Sequence, residues 1–532
     1  MVKKIVFCPA CHTNISLEMK PDEQVPVECP NCHRTGQIVF KSRLIELDFY
    51  PLIKPFTYVK ITKNEENLEK LYSIFEPTLS DEEKQIAKFL INIFERKLKV
   101  TTEDFSYENV EKILPRKLKK TIEKLDKKTI MKIFYFVKRD TVGYGIIDPL
   151  MHDSNIEDIS CDGSGVPVFI SHRVFGSLKT NIQFKDEKTL LDFINILAQK
   201  CKKGISIANP MVDAVLPDGS RIQMTLGTEV TAKGSTFSIR RFRTDPYTPI
   251  DLLNFKTISA EILVYFWLLV ENGINALYAG GTASGKTTLL NAFSMFIPRD
   301  QKIVSIEETR EINLTHPNWI PGVARSGSGE NTSWELIGSI DMYDLLKAAL
   351  RQRPEYIIVG EIRGEEANIL FQAMTTGHTT YSTMHADSTQ SLIHRLELEP
   401  INIPRQMLQA LDVISFQSIV KKNGKNVRRC KRVVEIIGID KDTKEIMINE
   451  VFHWDPSTDQ FIFSGKSYML QRICKEKNIT RKNLIKEMDR RIKLIKWMDI
   501  NNIRNLEDVT KLLNRYSSNP EDTLNKVKKL TV

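Results

Sequence analysis

Eight consecutive residues, Gly280-Gly281-Thr282-Ala283-Ser284-Gly285-Lys286-Thr287, fit G-x-x-x-x-G-K-[ST], the loop by which a backbone wraps a polyphosphate. The chemistry asks for these residue types. Glycines let backbone N–H groups approach the phosphates where a side chain would block them. Lys286 supplies a point charge for the β- and γ-phosphates and the Thr287 hydroxyl a ligand for Mg²⁺, with Thr288 next to it at the end of the candidate nucleotide-binding segment. The apolar run INALYAG precedes the loop and TTLLNAFSMFI follows it. A strand therefore enters and a helix leaves, and the helix N-terminus adds partial positive charge beneath the anion.

Three further segments carry candidate catalytic groups. About seventy residues downstream, Tyr356-Ile357-Ile358-Val359-Gly360-Glu361 is an apolar strand ending in an acid. P-loop NTPases usually place an Asp there to hold the Mg²⁺ shell. The longer Glu361 can reach past the metal's water to the attacking water, and is the first choice for polarising it. The run Ser305-Ile306-Glu307-Glu308-Thr309-Arg310-Glu311 puts Glu307 and Glu308 at the C-terminal end of another strand, where α/β sheets bind ligands. As helix-capping acids they would have no such role. His378 and His385 bracket the strand within TTGHTTYSTMHAD and are suited to sensing a γ-phosphate, to which a neutral imidazole can donate.

These groups need a scaffold. The chain has 532 residues, 41% hydrophobic and 27% charged, the balance of a soluble globular protein of several domains. Its longest fully apolar run, Ile262 to Val270, is nine residues, whereas a membrane helix needs ~20. No signal-length apolar stretch marks the start, so a cytoplasmic protein is expected. Lys+Arg 76 against Asp+Glu 67 gives +9, which would suit a membrane surface, nucleic acid or a phosphorylated ligand equally. Over residues 250–465 short apolar strands alternate with amphipathic helices, predicting an α/β domain with a mostly parallel sheet. Residues 141–248 read as a compact α+β domain with one helix at KTLLDFINILAQKC. Residues 60–140 read as packed helices from Leu, Ile and Phe at helical spacing, and 466–532 as a helical tail.

Residues 1–45 carry a second kind of chemistry. Cys8-Pro9-Ala10-Cys11 and Cys29-Pro30-Asn31-Cys32 are two C-x-x-C knuckles separated by seventeen residues, a zinc-ribbon spacing. Four thiolates would close a tetrahedral shell, making Zn²⁺ structural. His12 and His33 could substitute as ligands. Cys161, Cys201, Cys430 and Cys474 are scattered and read as small core residues.

Taken together, GGTASGKTT, SIEETREI, YIIVGEIRGEEA and TTGHTTYSTMHADS resemble, in order and spacing, the Walker A, Asp-box, atypical Walker B and His-box of the secretion ATPases. That superfamily powers type II secretion, type IV pilus assembly, archaellum rotation and conjugative transfer. YGIIDPLMHDSNIEDISCDGSGVPVFISHR through FSIRRFRTDPYTPIDLL is similar to the N-terminal domain of its archaeal branch, so the resemblance covers roughly residues 138–470. Glu308 departs from the usual Asp of the Asp-box. The resemblance implies a RecA-like P-loop domain preceded by an α+β, PAS-like domain. It further implies a homo-hexamer hydrolysing ATP with Mg²⁺, bound between the two domains, at the cytoplasmic face of the membrane. Arg221, Arg240 and Arg241 of the first domain would close over the phosphates, and force would pass to a polytopic membrane platform protein. The stretch 421–432, with seven Lys/Arg and no acid, could assist docking or be a solvated hairpin tip.

A nucleic-acid translocase or conjugative-transfer ATPase is the alternative. The strand acid lacks the D-E-x-[DH] pattern of helicases, and the cysteine module has no aromatic-interleaved basic surface, so no nucleic-acid partner is expected. A nucleotide-dependent scaffold without turnover would leave phosphate release unchanged in Lys286→Ala and Glu361→Gln; the presence of both residues favours turnover.

Overall fold

Period-two alternation of apolar residues builds a longer sheet than the sequence suggests. In the computed structural model, which describes residues 2–7, 14–19, 24–33, 35–39, 44–95, 125–243, 245–325, 340–422 and 425–529, the chain divides into two compact units, 1–242 and 243–532.

The first unit begins with two hairpins, β1 (Val2–Phe7) with β2 (Asn14–Met19) and β3 (Gln24–Glu28) with β4 (Thr35–Val39). Cys29, 1% exposed, and Cys32 lie in the turn after β3, where the His33 amide donates to Cys29 O at 3.0 Å. Cys8 and Cys11 lie outside the described residues. Among the described residues no three metal-ligating side chains gather.

A nine-stranded sheet follows. Its strands are β5 (Leu44–Ile53), β6 (Thr57–Asn64), β7 (Lys70–Phe75), β8 (Ile156–Cys161), β9 (Pro167–His172), β10 (Gly176–Gln183), β11 (Met211–Val215), β12 (Arg221–Thr225) and β13 (Thr236–Arg240), in the order 11-12-13-8-9-10-7-6-5. Among the described residues of this sheet, only β7 and β10 pair in parallel. The expectation of helices from residue 60 is corrected here. Val59 and Ile61, then Tyr72 and Ile74, enter the core at every second position while Tyr58 and Lys60, then Leu71, Ser73 and Phe75, take the other face. Residues 44–75 thus extend the sheet of the α+β domain, and its boundary near 141 is no sheet boundary. The Tyr50 and Tyr72 hydroxyls, donating to Asp153 Oδ2 at 2.5 and 2.6 Å, fasten the extension to the turn before β8. Helices Asp81–Glu95 and Lys127–Thr141 do form, and bury Ile86, Leu90 and Phe94 against Ile133 and Val137. Residues 96–124 lie outside the described residues.

The second unit is a sandwich of helices around a second nine-stranded sheet. Its strands are β14 (Ala276–Gly280), β15 (Ile303–Glu307), β16 (Trp319–Val323), β17 (Tyr356–Val359), β18 (Thr379–Met384), β19 (Val413–Lys422), β20 (Lys425–Ile439), β21 (Ile446–Asp455) and β22 (Gln460–Phe463), in the order 16-15-17-18-14-19-20-21-22. From β16 to β19 all pairs are parallel, and from β19 to β22 antiparallel. The central β14 is buried on both faces, sending Ala276 and Tyr278 to one core and Leu277 and Ala279 to the other.

The longest apolar run belongs to a core. Helix Ala260–Glu271 buries every residue from Ile262 to Val270, against β14 on one side and the C-terminal helix Arg481–Ile500 on the other. Arg491 of that helix is buried, 2.6 Å from Glu271 and 2.9 Å from Glu487, with its guanidinium 4.5 Å above the Trp267 ring. The helical tail is therefore packed onto the P-loop domain. No described helix is long and apolar enough to cross a membrane.

Candidate functional site

Parallel strands aim their C-terminal ends at one edge of the sheet, and every chemical motif but one half of the histidine pair falls there. The loop Gly280–Gly285 leaves β14 and turns into helix Lys286–Ser294. Two glycines are demanded by geometry. A Cβ at Gly280 (φ +154°) would collide with Gln417 O and stand 2.6 Å from Ser284 Oγ, and Gly285 (φ +95°) caps the helix in a left-handed conformation. Ala283 is also left-handed, at φ +58°, a conformation costly for a residue with a Cβ. The Ser284 hydroxyl donates to Gly281 O at 2.8 Å and closes the loop. The first helical amides have no acceptor one turn earlier and face the loop's concavity. These features, with Thr287 and Thr288 half-buried on the first turn, fit a nucleoside polyphosphate and its Mg²⁺. Lys286, 7% exposed, donates to Gly281 O at 3.0 Å.

Because β18 lies between the P-loop strand and the acid strand β17, its C-terminal end delivers His385 beside Lys286. Lys286 Nζ and His385 Nε2 are 3.4 Å apart. His385 Nε2 also stands 3.1 Å from Glu361 Oε1, without the alignment of a hydrogen bond. Partial burial and the Lys286 charge push the imidazole below its usual range, so it is neutral near pH 7. Glu361 Oε2 is held by Arg363 Nη2 at 2.7 Å. Arg363 Nη1 lies 3.7 Å from Glu308 Oε2, so this arginine gathers acids from two strands. Thr383 Oγ1, donating to Gly360 O at 2.7 Å, pins the turn carrying Glu361 to β18.

The two Asp-box acids are unlike each other. Glu308 is half exposed. Glu307 is 2% exposed; its Oε1 accepts from the amides of Glu311 (2.9 Å) and Ile312 (3.1 Å), and Oε2 makes no hydrogen bond. Burial, only partly offset by those amides, pushes its carboxyl up to about 7. A Cβ on Gly360 would stand 3.1 Å from Glu307 Cγ, which is why a glycine precedes Glu361.

Other expected residues lie elsewhere. His378 precedes β18 and sits at its N-terminal end, a strand's length from His385, 3.3 Å from Thr376 Oγ1. The expectation that both histidines face the phosphates is corrected: the strand's direction leaves only His385 there. Of the arginines in the first unit, Arg241 is committed to that unit's own backbone, donating to Leu150 O at 3.4 Å and to Asp153 O. Arg221 and Arg240 are exposed and directly opposite each other on β12 and β13.

The described residues of the basic run 421–432 lie at the end of β19 and the start of β20, and three of its seven cations pair with acids. Lys422 and the buried Arg429 pair with Asp459, and Arg432 with Glu450. Arg428 is different: its Nε donates to Ala283 O at 2.9 Å. The sequence marked this arginine only as one charge in a run. Arg363 was equally unmarked, although its place two residues after Glu361 was a signal.

This geometry defines an α/β P-loop ATPase domain. The chain matches the type II/IV secretion system protein family over residues 144–504 and belongs to it. Uncharacterized protein MJ0900 of Methanocaldococcus jannaschii is 38% identical over 397 residues, covering 74% of this chain and 70% of that protein. Type IV secretion system protein PtlH of Bordetella pertussis is 31% identical over 284 residues, 46% of this chain and 81% of that one. Among solved structures, the ATPase DotB of Legionella pneumophila matches at 18% identity and a TM-score of 0.38, over 55% of this chain and 78% of that one.

Proposed function

We propose that the protein is an Mg-ATP-hydrolysing motor that drives a type IV pilus-like or type II-like secretion machine. The observation that carries the reading is the convergence of Lys286, His385 and Glu361 at the mouth of the phosphate loop. The loop amides and Lys286 would bind the β- and γ-phosphates, and Thr287 would hold Mg²⁺, which when bound neutralises phosphate charge. Glu361 takes the proton of the attacking water on Oε1, the oxygen that makes no hydrogen bond, while Arg363 fixes Oε2. Neutral His385 donates to the γ-phosphate. Glu308 and Glu307 lie on the neighbouring strand as second acids, Glu307 poised near neutrality to accept a proton.

The finer features rest on the sequence and belong to the same proposal. The protein works as a hexamer, cytoplasmic and peripheral at the membrane, and hands force to a membrane platform protein. Arg221 and Arg240, which the family resemblance marks, would close over the nucleotide. Cys8, Cys11, Cys29 and Cys32 bind structural zinc.

The test is steady-state phosphate release by the purified chain with Mg-ATP. Lys286→Ala should lose nucleotide binding, whereas Glu361→Gln should bind nucleotide and turn over about a hundredfold more slowly. Turnover unchanged in both variants would sink the proposal.

A further inference from the structure

A cationic group reaches the phosphate loop from the side opposite to the acids. In the sheet, β18, β17 and β15, which carry His385, Glu361 and Glu307, lie on one side of β14; β19 and β20 lie on the other. Arg428 of β20 spans that gap. Its Nε donates to Ala283 O at 2.9 Å, and its Cδ would be 3.3 Å from a Cβ at Gly285, so the side chain lies along the loop itself. Ala283 is the loop's one non-glycine residue in the left-handed region.

Arg428 is also set apart from the other arginines of the run. Lys422, Arg429 and Arg432 each have a carboxylate partner. Arg428 is exposed and forms no ion pair with an acid among the described residues. With Nε satisfied by the loop carbonyl, the guanidinium plane is fixed at the rim while Nη1 and Nη2 remain for a ligand. A guanidinium is always charged, and its planar face stacks on aromatic rings.

The direction of the nucleotide follows from the acids. If Glu361 and His385 act on the γ-phosphate, as the proposed function requires, that end points toward β18 and β17. The nucleoside end then points toward β19 and β20. We infer that Arg428 is a nucleotide-binding residue that contacts the nucleoside end, its ribose and base, and not the γ-phosphate. The inference rests on the ATP-binding reading of the loop and adds to it a residue outside the four motifs.

Titration calorimetry with full-length protein separates the two. ATP, ADP and inorganic tripolyphosphate, each with Mg²⁺, are the probes. In Arg428→Ala, Kd for ATP and for ADP should rise together, about tenfold, because both carry the same nucleoside. Tripolyphosphate, which has none, should bind as it does to the wild type. Arg428→Gln, which keeps length and loses charge and fork, should behave as the alanine variant does. A loss confined to ATP, an equal loss for tripolyphosphate, or nucleotide affinities within twofold of the wild type would each overturn the assignment. Lys286→Ala tests the underlying reading separately. If the wild type binds none of the three probes, the nucleotide reading fails; if Lys286→Ala abolishes binding and Arg428→Ala does not weaken it, only the present inference fails. In turnover, Arg428→Ala should raise KM with kcat within twofold, a split that a merely folded-state role would not produce.

Discussion

Arg363 Nη2 lies 2.7 Å from Glu361 Oε2 and its other terminal nitrogen 3.7 Å from Glu308 Oε2, so one exposed side chain spans the ends of β17 and β15. The pairing leaves Glu361 Oε1, buried beside His385 and without a hydrogen bond, as the oxygen not tied to the guanidinium. Removing the guanidinium lets the carboxylate rotate without changing the loop that binds phosphate. Arg363→Ala should therefore lower kcat about tenfold, with KM moving less than twofold. Arg363→Lys should recover part of the rate, because a point charge pairs with Glu361 but cannot also face Glu308 in a planar fork. Equal rates in the alanine variant and the wild type would remove Arg363 from the site.

The cysteine module gives a measurement independent of nucleotide. Cys29 and Cys32 occupy one tight turn, as half of a Cys₄ shell would require. Protein purified without chelator should contain about one zinc per chain, and Cys29→Ser with Cys32→Ser should contain none. A closed Cys₄ shell would leave the metal no open position, so ATP turnover should persist in the zinc-free variant. Metal analysis finding no zinc in the wild type would end the ribbon reading.

The site was more legible than the scaffold, for a physical reason. Backbone wrapping of phosphate demands glycine at fixed places and a lysine after them, so Gly280, Gly285 and Lys286 declare themselves in one dimension. Strand ends bearing acids are nearly as plain, hence Glu361 and Glu307. Strand direction is not visible in a motif, and for that reason His378 and His385 looked equivalent while β18 sends them to opposite ends. Arg428 was hidden because its contact with the phosphate loop is made to Ala283, 145 residues away in sequence. Among residues 57–75 the lysines of the strands and the acids of the turn between them made a half-buried β pattern look like a charged helix face, and only the alternate burial of Val59, Ile61, Tyr72 and Ile74 corrects it.

The tail offers a stability test. Arg491 is a buried cation held by Glu487 of its own helix and by Glu271 of helix Ala260–Glu271, and the Glu271 pairing exists only while the tail is docked. Arg491→Ala leaves those carboxylates uncompensated and a gap over Trp267. It should destabilise the second unit by on the order of 3–5 kcal/mol. Arg491→Met, which refills the volume without a charge, should lie between the two. A thermal melt in which Arg491→Ala unfolds with the wild type would mean that the tail adds no stability to the P-loop domain.

Glu307 makes stability depend on pH in a direction opposite to that of most carboxylates. Its folded-state value is raised from 4.5 to about 7, so the folded chain binds this proton more tightly than the unfolded chain does. The stabilisation is complete below pH 4.5 and is lost as pH rises through 7, on the order of 3 kcal/mol in all. In Glu307→Gln the amide oxygen can still accept from Glu311 and Ile312, and nothing titrates. The melting temperature of the variant should therefore gain on that of the wild type between pH 5 and pH 8. Neighbouring Glu311 and Arg310 are unchanged by the substitution and cancel in the difference. A variant-minus-wild-type difference that stays flat over that range would mean that Glu307 is already ionised at pH 5, and would remove it as a proton acceptor poised near neutrality.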